Sequence, residues 1–288
     1  MANLKDIKRR IGSVKNTQQI TKAMKLVAAA KLRRAQEAVV LARPYAEKLA
    51  EVMEGVAARS REDVHPLLKR REVKKALIVV MSGDKGLCGP FNSNVFKATQ
   101  KIIADLSAKG AEVSLIISGK KGVDFFKRRK LQIRQVYLDY GKNLGYELAR
   151  SMAGLAASVF LEEEADQVYM VFNKFRNVVV QEPRTIQLLP VALPKRDEHG
   201  QAPVDFEYEP SAHEIVGEIL KKYIESQVFQ GLLESSASEN GARMTAMDAA
   251  TKNAKEMIAA LTLSYNRARQ AAITTGIIEV VSGADAIS

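Results

Sequence analysis

Apolar and small residues in the N-terminal segment recur at alternating intervals of three and four positions. They are Leu4, Ile7, Ile11 and Val14, followed by Ala28, Leu32, Ala35, Val39, Ala42, Ala46, Leu49, Met53 and Val56. This heptad spacing is typical of a long helix that pairs with a second helix as a coiled coil. The pattern predicts a helix over residues 1–57. Pro44 lacks a backbone donor, and because the pattern resumes after it we expect a kink there rather than an end.

The heptad seam changes character between its two apolar stretches. Polar residues occupy the seam positions Gln18, Thr21 and Lys25. The apolar residues here are Ile20, Met24 and Val27, each one position before a seam position. The shift indicates a break in the register, and it predicts that this stretch faces a different partner from the rest of the helix.

The C-terminal segment, residues 211–288, repeats this pattern. A broad apolar stripe contains Ile215, Ile219, Tyr223 and Val228. A strict heptad follows, with Met244, Met247, Thr251, Ala254, Ile258, Leu261, Tyr265, Ala268, Ala272 and Thr275. No proline follows Pro210, so the pattern predicts one helix of roughly 75 residues, about 110 Å long.

A helix of that length must project from any compact domain, and its seam needs a partner. The other long seam in the chain is N-terminal, and short connections join both segments to the middle of the chain. We therefore predict that residues 1–57 and 211–285 pair as an antiparallel coiled coil. The alternative is a bundle of shorter amphipathic helices, broken at Pro44 and around Gly231 or Gly241.

Residues 73–195 have the pattern of an α/β domain, bounded by a connection at 58–72 and a linker at 196–210. Four apolar runs predict buried strands at Ala76–Met81, Val113–Ile117, Ile133–Leu138 and Val168–Phe172. Helical stretches at Ser93–Ala108, Gly122–Arg128 and Asn143–Phe160 separate them. This alternation predicts an open, mainly parallel, Rossmann-like sheet. A further strand pair is predicted at Val178–Gln181 and Thr185–Leu189, divided by Pro183.

The loops of such a domain are candidate nucleotide sites, but their glycines do not fit one. Gly83, Gly86 and Gly89 have the spacing G-x-x-G-x-x-G, which is neither the dinucleotide nor the phosphate-loop pattern. The loop Ser118–Gly122 also lacks the upstream glycine of a phosphate loop, and no G-x-S-x-G elbow is present. A binding surface therefore fits these loops better than a catalytic site. Without a neighbouring base, Cys88 is interpreted as a partly buried small residue rather than a nucleophile.

Charge is concentrated at the N-terminus. Residues 1–43 hold eleven basic and two acidic residues, which gives +9 of the net charge of +11. Such a segment is expected to meet nucleic acid, an anionic membrane or an acidic protein, unless it is simply a solvated helix face. Residues 1–43 contain no Phe, Tyr or Trp, and stacking on bases would require them.

Composition excludes several other classes of protein. The single cysteine rules out an intrachain disulfide framework and fits a reducing compartment. Three scattered histidines and one cysteine disfavour a dedicated zinc site. No apolar run reaches the ~18 residues of a transmembrane helix, and the charged Met1–Arg10 has no apolar core behind it, unlike a secretory signal.

The C-terminal tip of the long helix is apolar on every side. Residues 271–288 carry only two charged groups, Glu279 and Asp285. Large aliphatic residues surround the helix axis at Ile273, Ile277, Ile278, Val280 and Val281. A helix that is apolar all round must be surrounded by protein. We therefore expect other chains to enclose the tip, the alternative being a tip folded back onto its own core.

Several motifs resemble the ATP synthase gamma subunit family along the whole chain. The N-terminal helix of that family resembles Asp6–Ile11 and Asn16–Met24, and its loop after the first strand resembles Gly86–Gly89. The family's C-terminal helix is similar to Glu225–Gln227, Ala242–Met247 and the ending Ala268–Ala284. One position departs from the family pattern, because Gly276 stands where the family has an acidic residue.

The resemblance implies a rotor with no catalytic site and no cofactor or metal of its own. It implies a coiled-coil central stalk inside a head of alternating alpha and beta subunits, with catalysis on the beta subunits. The globular domain would lie with the epsilon subunit on the membrane c-ring, without entering the bilayer, at the cytoplasmic face of the bacterial inner membrane. Rotation would couple proton flow to ATP synthesis and hydrolysis.

The resemblance also implies which residues contact other subunits. On the N-terminal helix they are Lys8, Arg9, Lys22, Met24 and Lys25, of which the basic ones would meet acidic beta-subunit loops. On the C-terminal helix they are Arg243, Arg269, Gln270, Thr274 and Glu279. The main alternative function is a basic coiled-coil scaffold that binds nucleic acid. A small nucleotide-dependent enzyme is a third possibility, which the glycine spacing disfavours.

Overall fold

The computed structural model describes residues 4–59, 65–139, 141, 144–192 and 212–285. The predicted linker at 196–210, and residues 60–64 of the predicted connection, lie outside the described residues. Two compact units are present. The helical unit consists of residues 1–28 and 244–288, and the sheet unit of residues 29–243.

Both terminal segments form continuous helices. Helix α1 is Leu4–Arg59 and contains Pro44 inside it. The last helix, α5, is Ala212–Asp285, 74 residues that run through Gly231 and Gly241 without a break. The structure thus confirms two long helices and excludes the bundle alternative, in which these positions end helices.

The remaining elements belong to the sheet unit. After a short 3-10 helix at Pro66–Leu68, they alternate as β1 Lys75–Met81, α2 Phe91–Ala108, β2 Glu112–Ser118, α3 Lys120–Lys127, β3 Gln132–Tyr137, α4 Tyr146–Leu161, β4 Gln167–Phe175 and β5 Gln181–Leu189. The five-stranded sheet has the order β3-β2-β1-β4-β5. Strand β1 pairs in parallel with β2 and β4, and β2 with β3, whereas β5 is antiparallel to β4. The predicted open, mainly parallel sheet is confirmed.

One prediction about this sheet is wrong. Residues 178–181 and 185–189 are not two strands divided by Pro183, because β5 is a single strand that includes the proline opposite Asn173. Proline is tolerated there because β5 lies at the edge of the sheet. The residues before β5 form a turn, in which Asn177 Oδ1 accepts hydrogen bonds from the amides of Val179 and Val180 at 2.9 and 2.8 Å.

The centre of the sheet is buried on both faces, which explains its continuous apolar runs. Alternate residues of β1 enter different cores. Leu77, Val79 and Met81 pack with α4 and α5 on one face, and Ala76, Ile78 and Val80 pack with α2 and α3 on the other. This arrangement fixes the carboxyl ends of β1 and β4 side by side, where the candidate loops follow.

Candidate functional site

The carboxyl edge of the sheet is where ligands bind in doubly wound folds, at the point where strand order reverses. Here that point lies between β1 and β4. Beside it, the loops that follow β1 and β2 bond to each other. Ser82 Oγ donates to the carbonyl of Ser118 at 2.8 Å and accepts from the amide of Gly122 at 3.0 Å. Asp84 Oδ1 accepts from the amide of Lys120 at 3.0 Å, so the protein's own carboxylate lies where α3 would hold an anion.

Helix α5 covers the rest of this edge. Glu234 Oε2 accepts from the amide of Phe175 at 2.9 Å, and Ser238 Oγ donates to the carbonyl of Asn173 at 3.0 Å. Arg243 Nη2 donates to Glu239 Oε1 at 2.6 Å and to the carbonyl of Gly86 at 3.4 Å. The edge therefore serves as a binding surface, and what it binds is the chain's own last helix.

Two glycines that follow β2 serve this packing. Gly119 has a φ of +91°, and a Cβ there would lie 1.9 Å from the carbonyl oxygen of Ser82. A Cβ on Gly122 would lie 2.5 Å from Ser82 Oγ. Gly119 and Gly122 thus allow the loops after β1 and β2 to approach each other closely.

Cys88 lies beneath the same loop and is buried, which confirms its interpretation as a small packed residue. It packs with Phe91 and Ala242, and Asn92 Nδ2 donates to its Sγ at 3.4 Å. Burial raises the pKa of the Cys88 thiol, and the carboxylate of Glu239 raises it further while Arg243 opposes the shift. The group therefore stays a protonated thiol near neutral pH, which is a poor nucleophile.

Within the helical unit, α1 and α5 pair antiparallel, as predicted. Thr251 Oγ1 lies 2.8 Å from Thr21 Oγ1, and Lys25 Nζ lies 2.6 Å from Asp248 Oδ1. Residue numbers rise along one helix as they fall along the other, which defines the direction. The buried apolar residues of this unit lie on the predicted seams: Ile7, Ala28, Met247 and Ala254.

The polar stretch of the N-terminal seam stays in register, so the predicted break is wrong. Thr21 is only 8% exposed, whereas Ile20 and Val27 are 60% and 57% exposed. The polar residues remain in the seam because Thr251 and Asp248 offer them partners across it. That this stretch faces a different partner from the rest of the helix stays a prediction, to which the exposed Ile20 and Val27 belong.

Cysteine pairs test this register. Thr21→Cys combined with Thr251→Cys is expected to form a disulfide under mild oxidation, because the two hydroxyl oxygens are already 2.8 Å apart. The matched control is Ile20→Cys with Thr251→Cys, which lies off the seam. The measurement is the mobility of the chain on a non-reducing gel. Crosslinking of the control alone would contradict the antiparallel register.

The predicted contact residues of the N-terminal helix differ in their surroundings. Lys8, Arg9 and Lys22 are exposed, and Arg9 lies 3.3 Å from Asp6 on the same helix. Met24 is half-buried, as is Lys25, whose ammonium is the one paired with Asp248. Three of these cations are thus presented to solvent, while the fourth also contributes to the seam.

Arg243 differs from the exposed predicted contacts because its side chain is largely buried. Its side chain is 14% exposed, because the bonds to Glu239 and Gly86 hold it against the sheet edge. Sequence reasoning missed Glu234, Ser238 and Glu239, which bind that edge with it. A signal was present, since residues 234–241 are rich in small polar side chains and lack the heptad spacing.

The tip of α5 extends past the described start of α1. The register of the helical unit brings Leu4 level with Ala268, and the seam residues Ala272 and Thr275 beyond it are exposed. The predicted contacts Arg269, Gln270, Thr274 and Glu279 are exposed there. So are the aliphatic residues of the tip, each more than half exposed: Ile273, Ile277, Ile278, Val280 and Val281. The tip is therefore not folded back onto a core of the described residues.

In the part of the chain that the structure describes, no helix is both long and apolar enough to cross a membrane. No group of three or more His, Cys, Asp or Glu residues in the same ranges could hold a metal ion.

Comparison with known proteins gives one consistent result. A protein-family model described as ATP synthase matches residues 3–287. The ATP synthase gamma chains of Geotalea daltonii and Geobacter metallireducens are 51% and 52% identical over 287 residues, covering 100% of this chain and 99% of each relative.

Solved structures show the same fold. The central stalk and c-ring structure of Tetrahymena thermophila mitochondrial ATP synthase contains a chain 26% identical to this one. The TM-score is 0.61, and the match covers 80% of this chain and 99% of that one. A rotor chain of the Euglena gracilis mitochondrial enzyme has a TM-score of 0.65 at 20% identity, with coverage of 94% and 98%, and this similarity concerns the fold alone.

Proposed function

Because the chain belongs to the ATP synthase gamma-chain family, we propose that it is the central rotor shaft of that enzyme. The observation that carries this proposal is α5. Its residues Glu234, Ser238 and Arg243 are bonded to the carboxyl edge of the sheet. The same unbroken helix ends in a tip whose apolar residues are exposed all round. A shaft needs this combination of a held base and a free end that another protein encloses.

The partners follow from this role. The apolar tip is enclosed by the head of alpha and beta subunits, and the sheet unit lies with the epsilon subunit against the membrane c-ring. Proton flow turns the ring, and the shaft changes the conformations of the beta subunits as it rotates. The relatives and structures reported above, all of ATP synthases, support this role, and none supports a nucleic-acid scaffold.

Catalysis takes place on the beta subunits, and this chain transmits rotation to them. The occupied sheet edge supports this division of labour, because Asp84 and α5 fill the place that a nucleotide would need. In a bacterial cell the shaft works at the cytoplasmic face of the inner membrane, as a peripheral part of the complex.

The polar residues of the tip form transient hydrogen bonds with the head, which we call catches because they hold the shaft in place between steps. Arg269 and Gln270 are exposed, while the Thr274 hydroxyl donates to the carbonyl of Gln270 at 3.0 Å. Inside an apolar sleeve such groups need hydrogen-bond partners, since burial without them costs about 1–3 kcal/mol per group. Rotation changes which subunit they face, so these bonds form and break in each cycle and hold the shaft at a dwell.

The double variant Arg269→Ala, Gln270→Leu tests the catches. It is expected to lower coupled ATP synthesis several-fold while leaving the folded content of the chain unchanged, because both side chains are exposed in the chain itself. The matched control is Lys252→Ala, Lys255→Ala on the same helix. Synthesis and hydrolysis rates in membrane vesicles, with circular dichroism of the purified chain, give the comparison. Unchanged rates in a normally assembled double variant would refute the catches.

Gly276 provides a second test of the same idea. Nothing lies within 4 Å of a Cβ built at this position, so Gly276→Glu is expected to fold normally. Glycine costs roughly 1 kcal/mol inside a helix, so the variant should raise helix content at the tip. We expect coupled activity to be equal or higher, and a large loss of activity would contradict the catch at this turn.

A further inference from the structure

A cleft in the sheet unit lies between α1, α5 and the sheet, beside the carboxyl end of β4. It consists of two cavities of about 470 Å³ and about 690 Å³. They adjoin, since they share the lining residues Val39, Arg43, Ala46, Gln230 and Glu234. Volumes in this range are typical of small-molecule sites.

The smaller cavity is mainly apolar. Its walls include Ala42, Tyr45, Tyr146, Phe229 and Leu233. The rings of Tyr146 and Phe229 meet edge to face with centroids 5.5 Å apart. This compartment is suited to an apolar body rather than to a polar group.

The polar groups of that wall are already paired. Tyr146 Oη donates to Glu225 Oε2 at 2.7 Å, and Lys222 Nζ donates to the same oxygen at 2.8 Å. Burial, and then the hydrogen bond to Glu225, raise the pKa of Tyr146, so its hydroxyl stays protonated. These groups are therefore engaged with one another and are not available to a ligand.

The larger cavity has polar groups without partners. Within the described ranges, neither Arg43 nor Lys174 forms an ion pair, and the side-chain amides of Gln36, Gln227 and Gln230 form no hydrogen bond. The third cation of the lining, Arg176, is bonded to Glu182 at 3.1 Å. Two cations and three amides thus converge on one compartment with their donors available.

Two carboxylates also line the larger cavity. Glu234 is engaged by the amide of Phe175 at 2.9 Å. Glu47 is exposed and lies at the same cleft as Arg43. Its charge opposes the binding of an anion, which makes it a useful position for a test.

We propose that this cleft binds a small amphipathic anion, an alkyl chain of medium length that ends in a carboxylate or a phosphate. The chain lies in the aromatic compartment, and the head group lies between Arg43 and Lys174. Charge-assisted hydrogen bonds from these cations, with the glutamine amides beside them, supply the recognition of the head. Fatty acids and alkyl phosphates share this chemistry.

Titration of the purified full chain with decanoate and with decyl phosphate tests the proposal, with calorimetry as the readout. Both probes are expected to bind at one saturable site, whereas decanol and inorganic phosphate bind weakly or not at all. Tighter binding of one probe identifies the head group that the cleft prefers, and either preference supports the site.

Four variants assign the binding to the cleft. Arg43→Ala with Lys174→Ala is expected to weaken it about tenfold or more, since both charged donors are lost. Ala42→Trp, which fills the apolar compartment, should abolish binding. Glu47→Gln should strengthen it by removing the opposing charge. Lys221→Ala, whose side chain is paired with Glu218 outside the cleft, is the matched control and should change nothing.

Several results would overturn the proposal. They are the absence of saturable binding, equal binding of decanol and decanoate, or an unchanged affinity in the Arg43→Ala, Lys174→Ala variant. The titration is then repeated with the assembled complex. Binding to the isolated chain that is lost in the complex would also overturn it, because the cleft would then be a surface for another subunit. Binding retained in the complex supports a ligand site.

Discussion

Simultaneous replacement of Lys8, Arg9, Lys22 and Lys25 by glutamate is expected to lower coupled ATP synthesis about tenfold or more, or to prevent assembly. Individual surface ion pairs contribute only ~0–1 kcal/mol each, so single Lys→Ala changes should be tolerated. Reversal of all four charges turns attraction into repulsion along one helix, and the energies of several ion pairs then add up. ATP synthesis in vesicles and co-purification with the head measure the two outcomes.

Matched variants separate the contact with the head from other effects. Reversal of four exposed cations of the sheet unit, Lys97, Lys101, Lys109 and Lys130, makes the same change in net charge at another place. The double exchange Lys25→Asp, Asp248→Lys keeps the ion pair of the seam and only swaps which helix carries the positive charge. Wild-type coupling in the quadruple N-terminal reversal would show that the basic helix is a solvated face.

Gly119→Ala is expected to destabilise the sheet unit by more than about 3 kcal/mol, because a strained backbone and a steric clash coincide there. The position needs a φ of +91°, and a Cβ would lie 1.9 Å from the carbonyl oxygen of Ser82. That oxygen belongs to backbone fixed at the end of β1, so it has little freedom to move away.

Gly110→Ala is the control for this prediction. Gly110 also has a positive φ, +79°, but nothing lies within 4 Å of its Cβ position. It should therefore show only the conformational cost, about 1–2 kcal/mol. Urea unfolding of both variants gives the difference, and equal losses would mean that contact between the two loops does not explain the glycine.

The sequence specified the regular elements well because their signals are local. The continuous apolar run of β1 follows from burial on both faces of the sheet. The heptads of α1 and α5 follow from burial along one stripe of each helix. Pro183 misled the strand assignment, because whether a proline is tolerated depends on whether its strand lies at an edge. That position is set by sheet order, which no local pattern contains.

The contacts in the seam and at the sheet edge could not be predicted, because each residue there depends on a partner that is distant in the sequence. Thr21 and Lys25 looked like a break in the heptad because their partners, Thr251 and Asp248, are more than 200 positions away. The glycine spacing did not fit a phosphate loop, and the contacts that explain some of these glycines are with distant residues. Gly119 and Gly122 lie against Ser82, and Gly83 lies against Glu239. The cleft beside α1 combines three distant elements, so no sequence pattern could predict it.

Single-molecule rotation tests the central claim most directly. The native Cys88 is buried and its raised pKa keeps it unreactive, so Lys109→Cys offers a specific site for a bead on the exposed surface of the sheet unit. The assembled head is fixed to glass through its beta subunits and supplied with ATP. A rotor shaft requires that the bead turn in one direction, with dwells that lengthen as ATP is diluted. A bead that stays still on molecules that hydrolyse ATP would contradict the rotor function.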